Sequence, residues 1–447
     1  MLKIENSLQF VNDTKALIIE PGAINRVGDL FMEQFPGKKA VIVSDQYIID
    51  HFGDLITERL NEKMIVQEKP YIFQLSELAA TYENVALLEN SFRAHEAIPI
   101  AVGSGIVNDL VKLSAHNVGR KYMSVVTAAS VDGYTAFGSS VTFNGSKQTF
   151  SCPAPHACLA DVDIIRAAPL TMTAAGYADV FAKVTAGADW LLADFMGVEP
   201  LNPEAWQIIQ EGLHRSLSNP EGIRGGDRDA IALLTERLML GGLAMQQAKS
   251  TRPASGAEHH FSHLWNMEHH EHNNRAVPHG FQVAIGTLAL TAFYEQMLQT
   301  PIDEELDVDL CCSRWPSLDQ ILKEAEERFG DTDFLHIAKE EMEAKYITSE
   351  QLREQLLNLK RNWKAISDRL AQQIIPFEEV KRRLKVVGAP VEPEEIGIPR
   401  EYLRETFHRA LFIRRRFTIL DLGVRTCMTE KWLDAIFGPE GKWPIEK

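Results

Sequence analysis

Ile98-Pro99-Ile100-Ala101-Val102, followed at once by Gly103-Ser104-Gly105-Ile106-Val107-Asn108-Asp109, is the stretch on which the fold turns. Its first five residues are apolar and suit a buried strand; the next are small, and from Leu110 through Val111 and Leu113 the apolar positions fall at helical spacing. A strand running through a glycine turn into a helix is half of a βαβ unit. Working outward, Ala40-Val41-Ile42-Val43-Ser44-Asp45 and Met123-Ser124-Val125-Val126 read as further buried strands with helical patterns between them. That rhythm predicts a parallel sheet covered on both faces. From about Leu170 the strand runs end, and segments such as Leu352–Leu370 and Tyr402–Phe417 are rich in Leu, Ala, Glu, Lys and Arg at helical spacing. The expected organisation is an α/β domain over residues 1–168 and an all-helical domain over 169–447. The proline-rich, acidic stretch Pro376–Pro399 reads as a surface connection.

Composition sets the outer limits. The 447 residues carry 46 Lys+Arg against 62 Asp+Glu, a formal charge of −16, with 45% hydrophobic residues. Such a chain is globular, and its charge argues against nucleic acid as a partner. A small-molecule substrate fits better. The five cysteines form no C-x-x-C pair, so neither a zinc knuckle nor a disulfide framework is expected. The N-terminal residues lack the apolar core of a signal peptide, and no stretch reaches the length of a membrane span, which predicts a cytoplasmic protein without a membrane partner.

The turn from Gly103, Ser104 and Gly105 to Asn108 and Asp109 has the Rossmann-like form in which backbone N–H groups and a helix N-terminus meet a pyrophosphate. Asn108 stands where a third glycine belongs, so a plain strand-to-helix turn stays open beside dinucleotide binding. Asp45, at the end of an earlier strand, has the position of a carboxylate that hydrogen-bonds an adenosine ribose and repels a 2′-phosphate; the alternative is a solvated loop residue. Thr127, Ala128, Ala129 and Ser130 make a small, hydroxylated strand end suited to close ligand contact, or simply a good turn.

Seven of the 14 histidines fall between residues 259 and 279. Ser255-Gly256-Ala257-Glu258 has the pattern of a capping box, with Ser255 at the N-cap and a helix starting at Gly256. His259 and His263 then share one helix face, and His260 is rotated away by about 100°. Two imidazoles at that spacing suit a metal, but no glutamate follows the first histidine as a metalloprotease requires. Further ligands come from elsewhere: His279 in Pro278-His279-Gly280, and Asp179, a carboxylate among apolar residues whose alternative is an ion pair with Lys183. His269, His270 and His272 read as a solvated loop.

Together, Gly103 to Asp109, Thr127 to Tyr134, the Asp179 helix, Arg252-Pro253-Ala254-Ser255-Gly256-Ala257-Glu258-His259 and Pro278-His279-Gly280 resemble the sn-glycerol-1-phosphate dehydrogenase family. The resemblance extends to its bacterial AraM-like members, within the iron-containing alcohol dehydrogenase and dehydroquinate synthase superfamily. It implies that superfamily's architecture and a dehydrogenase linked to NAD, or NADP, that interconverts dihydroxyacetone phosphate and sn-glycerol 1-phosphate. It further implies one divalent metal (zinc, nickel or iron) on Asp179, His259 and His279, and substrate contacts from Asp132, Asp179 and His263, with His263 relaying a proton. The nucleotide is implied on Asp45, Gly103–Asp109 and Thr127–Ser130. A homo-oligomer, a dimer in first place, is expected. Ala136 departs from the family, which usually has a serine there near the cofactor. A polyol dehydrogenase on an unphosphorylated diol is the alternative; a lyase of the dehydroquinate synthase type or a non-catalytic binding protein is more remote. Lys112, Lys183 and Arg252 are positional choices for binding phosphate.

Overall fold

The computed structural model describes residues 4–76, 78–143 and 146–445. The chain forms two compact units. The first comprises Met1–Val180, Pro203–Ala254 and Val386–Gly388; the second comprises Phe181–Asn202, Ser255–Lys385 and Ala389–Lys447.

The first unit is built on a six-stranded sheet of β1 (Ala16–Glu20), β2 (Ala40–Asp45), β3 (Tyr71–Phe73), β4 (Ile98–Gly103), β5 (Met123–Val126) and β8 (Ala157–Asp161), in the order β1-β8-β5-β4-β2-β3. Every pairing in it is parallel, with Ala40 opposite Ile98 and Ile100 opposite Met123. The alternation of side chains sorts the core into two layers. Ile42, Ile100, Val102 and Val125 join Phe31, Ile56 and Leu60 on one face. Val41, Val43 and Ala101 join Leu88, Phe92, Leu110 and Val111 on the other. The buried strands thus read as continuous apolar runs because helices cover both faces. A hairpin of β6 (Ser139–Phe143) and β7 (Ser146–Phe150), absent from the sequence expectation, stands apart as its own antiparallel pair.

Six helices matter for the site: α1 (Gln46–Glu62), α2 (Gly105–Asn117), α3 (Leu170–Phe195), α4 (Arg228–Ala248), α5 (Ala257–Met267) and α6 (His279–Gln299). Helix α3 is unbroken and contributes its first part to one unit and its second part to the other. At Gly176 it lies so close to the loop after β5 that a Cβ would come within 2.1 Å of the Ala129 carbonyl oxygen. In the second unit α6 is apolar nearly all round and buried along most of its length. Its contact with α5 needs a glycine: a Cβ on Gly286 would meet the Glu258 carbonyl oxygen at 2.6 Å.

Two sequence expectations are corrected. Pro376–Pro399 is not a mere surface connection: it holds a helix, Phe377–Val387, whose Phe377, Val380, Leu384 and Val387 are buried. Their spacing of three, four and three residues makes one apolar face, which the flanking prolines and charges obscured. The helical half also carries a two-residue antiparallel ladder, Glu271–His272 against Arg275–Ala276. No described helix is long and apolar enough to cross a membrane.

Candidate metal and nucleotide site

Helix α5 begins at Ala257, one residue later than its sequence pattern suggests, with Gly256 as N-cap and no capping hydrogen bond from a side chain. Two buried carboxylates take the place of the expected Ser255 hydroxyl. Asp189 accepts from the Ala257 N–H at 2.8 Å, and Glu258 accepts from the Gly256 N–H at 2.6 Å. Charged acceptors at a desolvated helix start outcompete a neutral hydroxyl, because the dipole and the low dielectric both favour the anion.

Glu258 does more than end a helix. Its Oε1 lies 2.8 Å from His259 Nδ1, and its Oε2 accepts from the Thr185 hydroxyl at 2.9 Å. Burial pushes this carboxyl up, but the hydrogen bond and charge of His259 with the Gly256 N–H reverse that and hold it below its usual range. An ionised Glu258 requires the proton of His259 on Nδ1, which turns the Nε2 lone pair outward. His279, the first residue of α6, is treated alike by other means. Its Nδ1 is 3.1 Å from Ser262 Oγ, and that hydroxyl donates to Gln282 Oε1 at 2.6 Å. Gln282 Nε2 donates to Asn266 Oδ1 at 3.1 Å, and Asn266 Nδ2 returns to Ser262 Oγ at 3.4 Å. With its own proton given to Gln282, Ser262 can only accept from His279, so Nδ1 carries that imidazole's proton too. The two rings have centroids 5.3 Å apart.

Asp179, on α3, is fully buried among Ala178, Val180 and Phe181, and its Oδ2 accepts from the Asp132 N–H at 2.9 Å. One ligand atom each from Asp179, His259 and His279 lie within 4.8 Å of one another, the one such group among the described residues. A carboxylate with two imidazoles offering Nε2 is a donor set that suits zinc, nickel or ferrous iron and leaves coordination positions over. His263, one turn along α5 from His259, lies outside this group. Burial holds its pKa well below the usual value, and the charge of Arg414 lowers it further, followed by His259, His279 and His260; it is a neutral imidazole at pH 7.

At the carboxyl end of β4, α2 starts at Gly105 with Ser104 as N-cap and no hydrogen bond from the cap side chain; a helix start of this kind is where an anion is received. The Thr127 N–H donates to the Gly103 carbonyl at 3.2 Å; the Tyr134 hydroxyl donates to the Ala128 carbonyl at 2.7 Å and lies 3.3 Å from Ser130 Oγ. These bonds shape the small-residue turn after β5 from within.

Residues 18–169 match the model of the iron-containing alcohol dehydrogenase family. A glycerol-1-phosphate dehydrogenase [NAD(P)+] of Bacillus licheniformis is 32% identical over 292 residues, covering 65% of this chain and 72% of that protein. The chain belongs to the glycerol-1-phosphate dehydrogenase family of NAD(P)-dependent oxidoreductases. Relatives of the same description from Geobacillus thermodenitrificans and Methanosarcina mazei are 28% and 26% identical, over 86% and 96% of both chains. Among solved structures, a probable glycerol dehydrogenase from Sinorhizobium meliloti 1021 has the same fold with a TM-score of 0.60 at 16% identity, covering 95% of this chain and 99% of that one. An iron-containing alcohol dehydrogenase from Thermotoga maritima does so with a TM-score of 0.56 at 14% identity and the same coverage.

Several residues singled out in this glycerol-1-phosphate dehydrogenase family member have structural duties. Asp45 is no solvated loop residue: it is buried and caps α1, its Oδ1 accepting from the Ile48 N–H at 2.9 Å. Asn108 is buried, receives the Tyr122 hydroxyl at 3.1 Å, and directs its amide at the Gly133 and Tyr134 carbonyls. Lys112 is removed as a phosphate ligand. Its ammonium gives hydrogen bonds to the carbonyls of Gly133, Ala136 and Gly138 at 2.8, 3.0 and 3.0 Å, which uses all three donors. The motif reading missed Glu258, Ser262 and Gln282, which hold the two imidazoles. The one local signal was the dipeptide Glu258-His259, where a carboxylate precedes a histidine directly.

Proposed function

We propose that the protein catalyses the NAD(P)-linked, metal-dependent reduction of dihydroxyacetone phosphate to sn-glycerol 1-phosphate, and the reverse, with the nucleotide on the α/β region 1–168 and metal and substrate on the helical region 169–447. The observation that carries the reading is the Asp179, His259 and His279 group, with both imidazoles held by their Nδ1 atoms. A divalent metal there supplies Lewis-acid polarisation of a ketone, and a nicotinamide supplies hydride. The chain's own residues do the rest. Asp179, His259 and His279 hold the metal. Asp132, tied through its N–H to Asp179, holds a substrate hydroxyl near the ligand group. His263, a neutral imidazole, relays a proton to the substrate oxygen, giving one from one ring nitrogen as the other takes one from solvent. The uncapped start of α2 and the Thr127–Ser130 turn receive the pyrophosphate and ribose, and Asp45 favours NADH over NADPH.

A cytoplasmic setting is part of this reading, supported by five cysteines that are all unpaired. So is a homo-oligomer, a dimer first, which light scattering would measure. The deciding experiment follows NADH oxidation with dihydroxyacetone phosphate and dihydroxyacetone side by side and determines the handedness of the product. Higher catalytic efficiency with the phosphorylated ketone and an sn-1-phosphate product are expected. Equal efficiencies, or the opposite hand, replace the proposal with a polyol dehydrogenase.

A further inference from the structure

Asp132, to which the substrate hydroxyl is assigned, stands on a loop, directly before the 3₁₀ turn Gly133–Thr135. Yet the loop is held at several points. Behind it, the carbonyls of Gly133, Ala136 and Gly138 converge on the single ammonium of Lys112, whose side chain is wholly buried. A backbone amide could not replace it, because a peptide N–H donates once and an ammonium three times in tetrahedral directions. Asp109 Oδ1 is 3.7 Å from Nζ, beyond hydrogen-bond distance, so the carbonyls that Lys112 holds are also what satisfies its donors. Residues 133–138 are thereby curled round Nζ, and Gly138, at φ +84°, closes the curve.

Helix α4 walls the loop from another side. The Thr135 hydroxyl donates to the Met239 carbonyl at 2.7 Å, and Gln246 Nε2 donates to the Thr135 carbonyl at 2.6 Å. Two adjacent glycines let the helix come this close. A Cβ on Gly242 would meet Thr135 Oγ1 at 2.1 Å, and one on Gly241 would meet Asp132 itself, Cβ at 3.1 Å and Oδ2 at 3.3 Å. The Asp132 carboxylate thus lies against the bare face of α4 at Gly241, while its N–H is given to Asp179 Oδ2 at 2.9 Å. Its main chain and its side chain are fixed by different residues.

We propose that Lys112 and Gly241 are positioning residues of the reaction: Lys112 fixes the path of the chain behind Asp132, Gly241 leaves the space beside its carboxylate, and together they set where the substrate hydroxyl is held relative to Asp179. This rests on the role given to Asp132 in the function proposed above. Gly241→Ala is the finer probe, because its Cβ asks Asp132 to yield by a few tenths of an ångström while alanine, the better helix former, leaves α4 intact. Misplacement by about 1 Å can cost roughly 10²-fold, so this smaller shift should lower catalytic efficiency with the ketone on the order of tenfold. Metal affinity, by competition with a chelator, and NADH affinity, by fluorescence titration, should stay at the wild-type values. Lys112→Met keeps the length and removes the donors; it should lower efficiency and metal affinity together, since the chain it frees carries the N–H that Asp179 accepts. Should it not fold, Lys112→Gln, with two donors left, takes its place with a smaller effect in the same direction. The deciding measurement is a double-mutant cycle at saturating metal: repeated in an Asp132→Ala background, neither substitution should reduce efficiency further, whereas a role confined to packing costs as much with the carboxylate as without it. Additive losses, or wild-type efficiency in Gly241→Ala or Asp132→Ala, overturn the inference. A wild-type protein indifferent to phosphorylation of the ketone overturns the proposed function instead, and the same cycle run with dihydroxyacetone still judges Lys112 and Gly241.

Discussion

Glu258→Gln isolates the electrostatic part of the metal site. The amide keeps the shape of the carboxylate, so Oε1 can still accept from the Gly256 N–H and from His259 Nδ1. The new NH2 then faces Thr185, whose hydroxyl can turn its hydrogen to the Ala182 carbonyl, already 3.1 Å away. What is lost is charge at the acceptor of His259 and Gly256. A hydrogen bond to a charged group contributes about 1.5–3 kcal/mol and a neutral one about 0.5–1.5, so the two bonds together lose roughly 2–3 kcal/mol. The part felt by the imidazole, one bond's share of about 1–1.5 kcal/mol, corresponds to roughly 5–13-fold in metal affinity, near the lower end of the effects of groups that orient metal ligands. Stability should change little, since a buried charge is removed together with its interactions, whereas Glu258→Ala orphans the Gly256 N–H and should cost about 1–3 kcal/mol. Competition of the purified proteins with a chromophoric chelator gives the affinities, and thermal unfolding of the metal-stripped proteins gives the stabilities. A folded Gln variant that binds metal within about threefold of wild type, under 0.7 kcal/mol, would refute the orienting role.

The ligand group itself is tested by Asp179→Ala and His279→Ala, each expected to empty the site by elemental analysis; full occupancy in either removes that residue from the set. His263→Ala should retain the metal while turnover falls roughly 10²–10⁴-fold, and unchanged turnover would return it to packing. Asp45→Asn keeps the cap on α1, because Asn caps as well as Asp, but removes the charge; the ratio of NADH to NADPH efficiency should narrow by on the order of fivefold, and an unchanged ratio means that the carboxylate only caps. Cys427 is exposed, and the hydrogen bond from Cys311, against burial and helped by Arg314, draws its thiol down to about 7, while burial pushes Cys152 and Cys158 up to about 12. Since the thiolate is the nucleophile, iodoacetamide should label Cys427 ahead of these two, roughly tenfold faster at pH 8 than at pH 6; a flat pH profile in peptide mass mapping contradicts the shift.

The strands that the sequence announces are the interior ones. Ala40–Asp45, Ile98–Gly103 and Met123–Val126 are buried on both faces and therefore mostly apolar, with Ser44, Asp45 and Ser124 the exceptions. The others give no such signal. β1 is a half-exposed edge strand, β3 has three residues, and β8, Ala157–Asp161, is made largely of small residues. Its place between β1 and β5 depends on pairing across some 140 residues, which no local pattern encodes. At the site, helical spacing pointed to His259 together with His263, while His279 and Asp179 came from ligand chemistry, an imidazole and an apolar-flanked carboxylate elsewhere in the chain. The residues holding them were silent: Ser262, Gln282 and Thr185 are common polar residues whose role exists only once α3, α5 and α6 are packed.

The ring of hydrogen bonds through Ser262, Gln282 and Asn266 runs in one direction, and two of its three members are amides. Amides pass no protons onward at neutral pH, so the ring is a lock and not a wire. The hydrogen on His279 Nδ1 rests against the Ser262 hydroxyl and has no route onward through this ring. The same lock makes the imidazole ready before any ion arrives. A site that has already oriented its donors presents them in the same way to each borderline divalent ion, so the metal found in the cell would be set by which ion is supplied and not by a rearrangement of the protein.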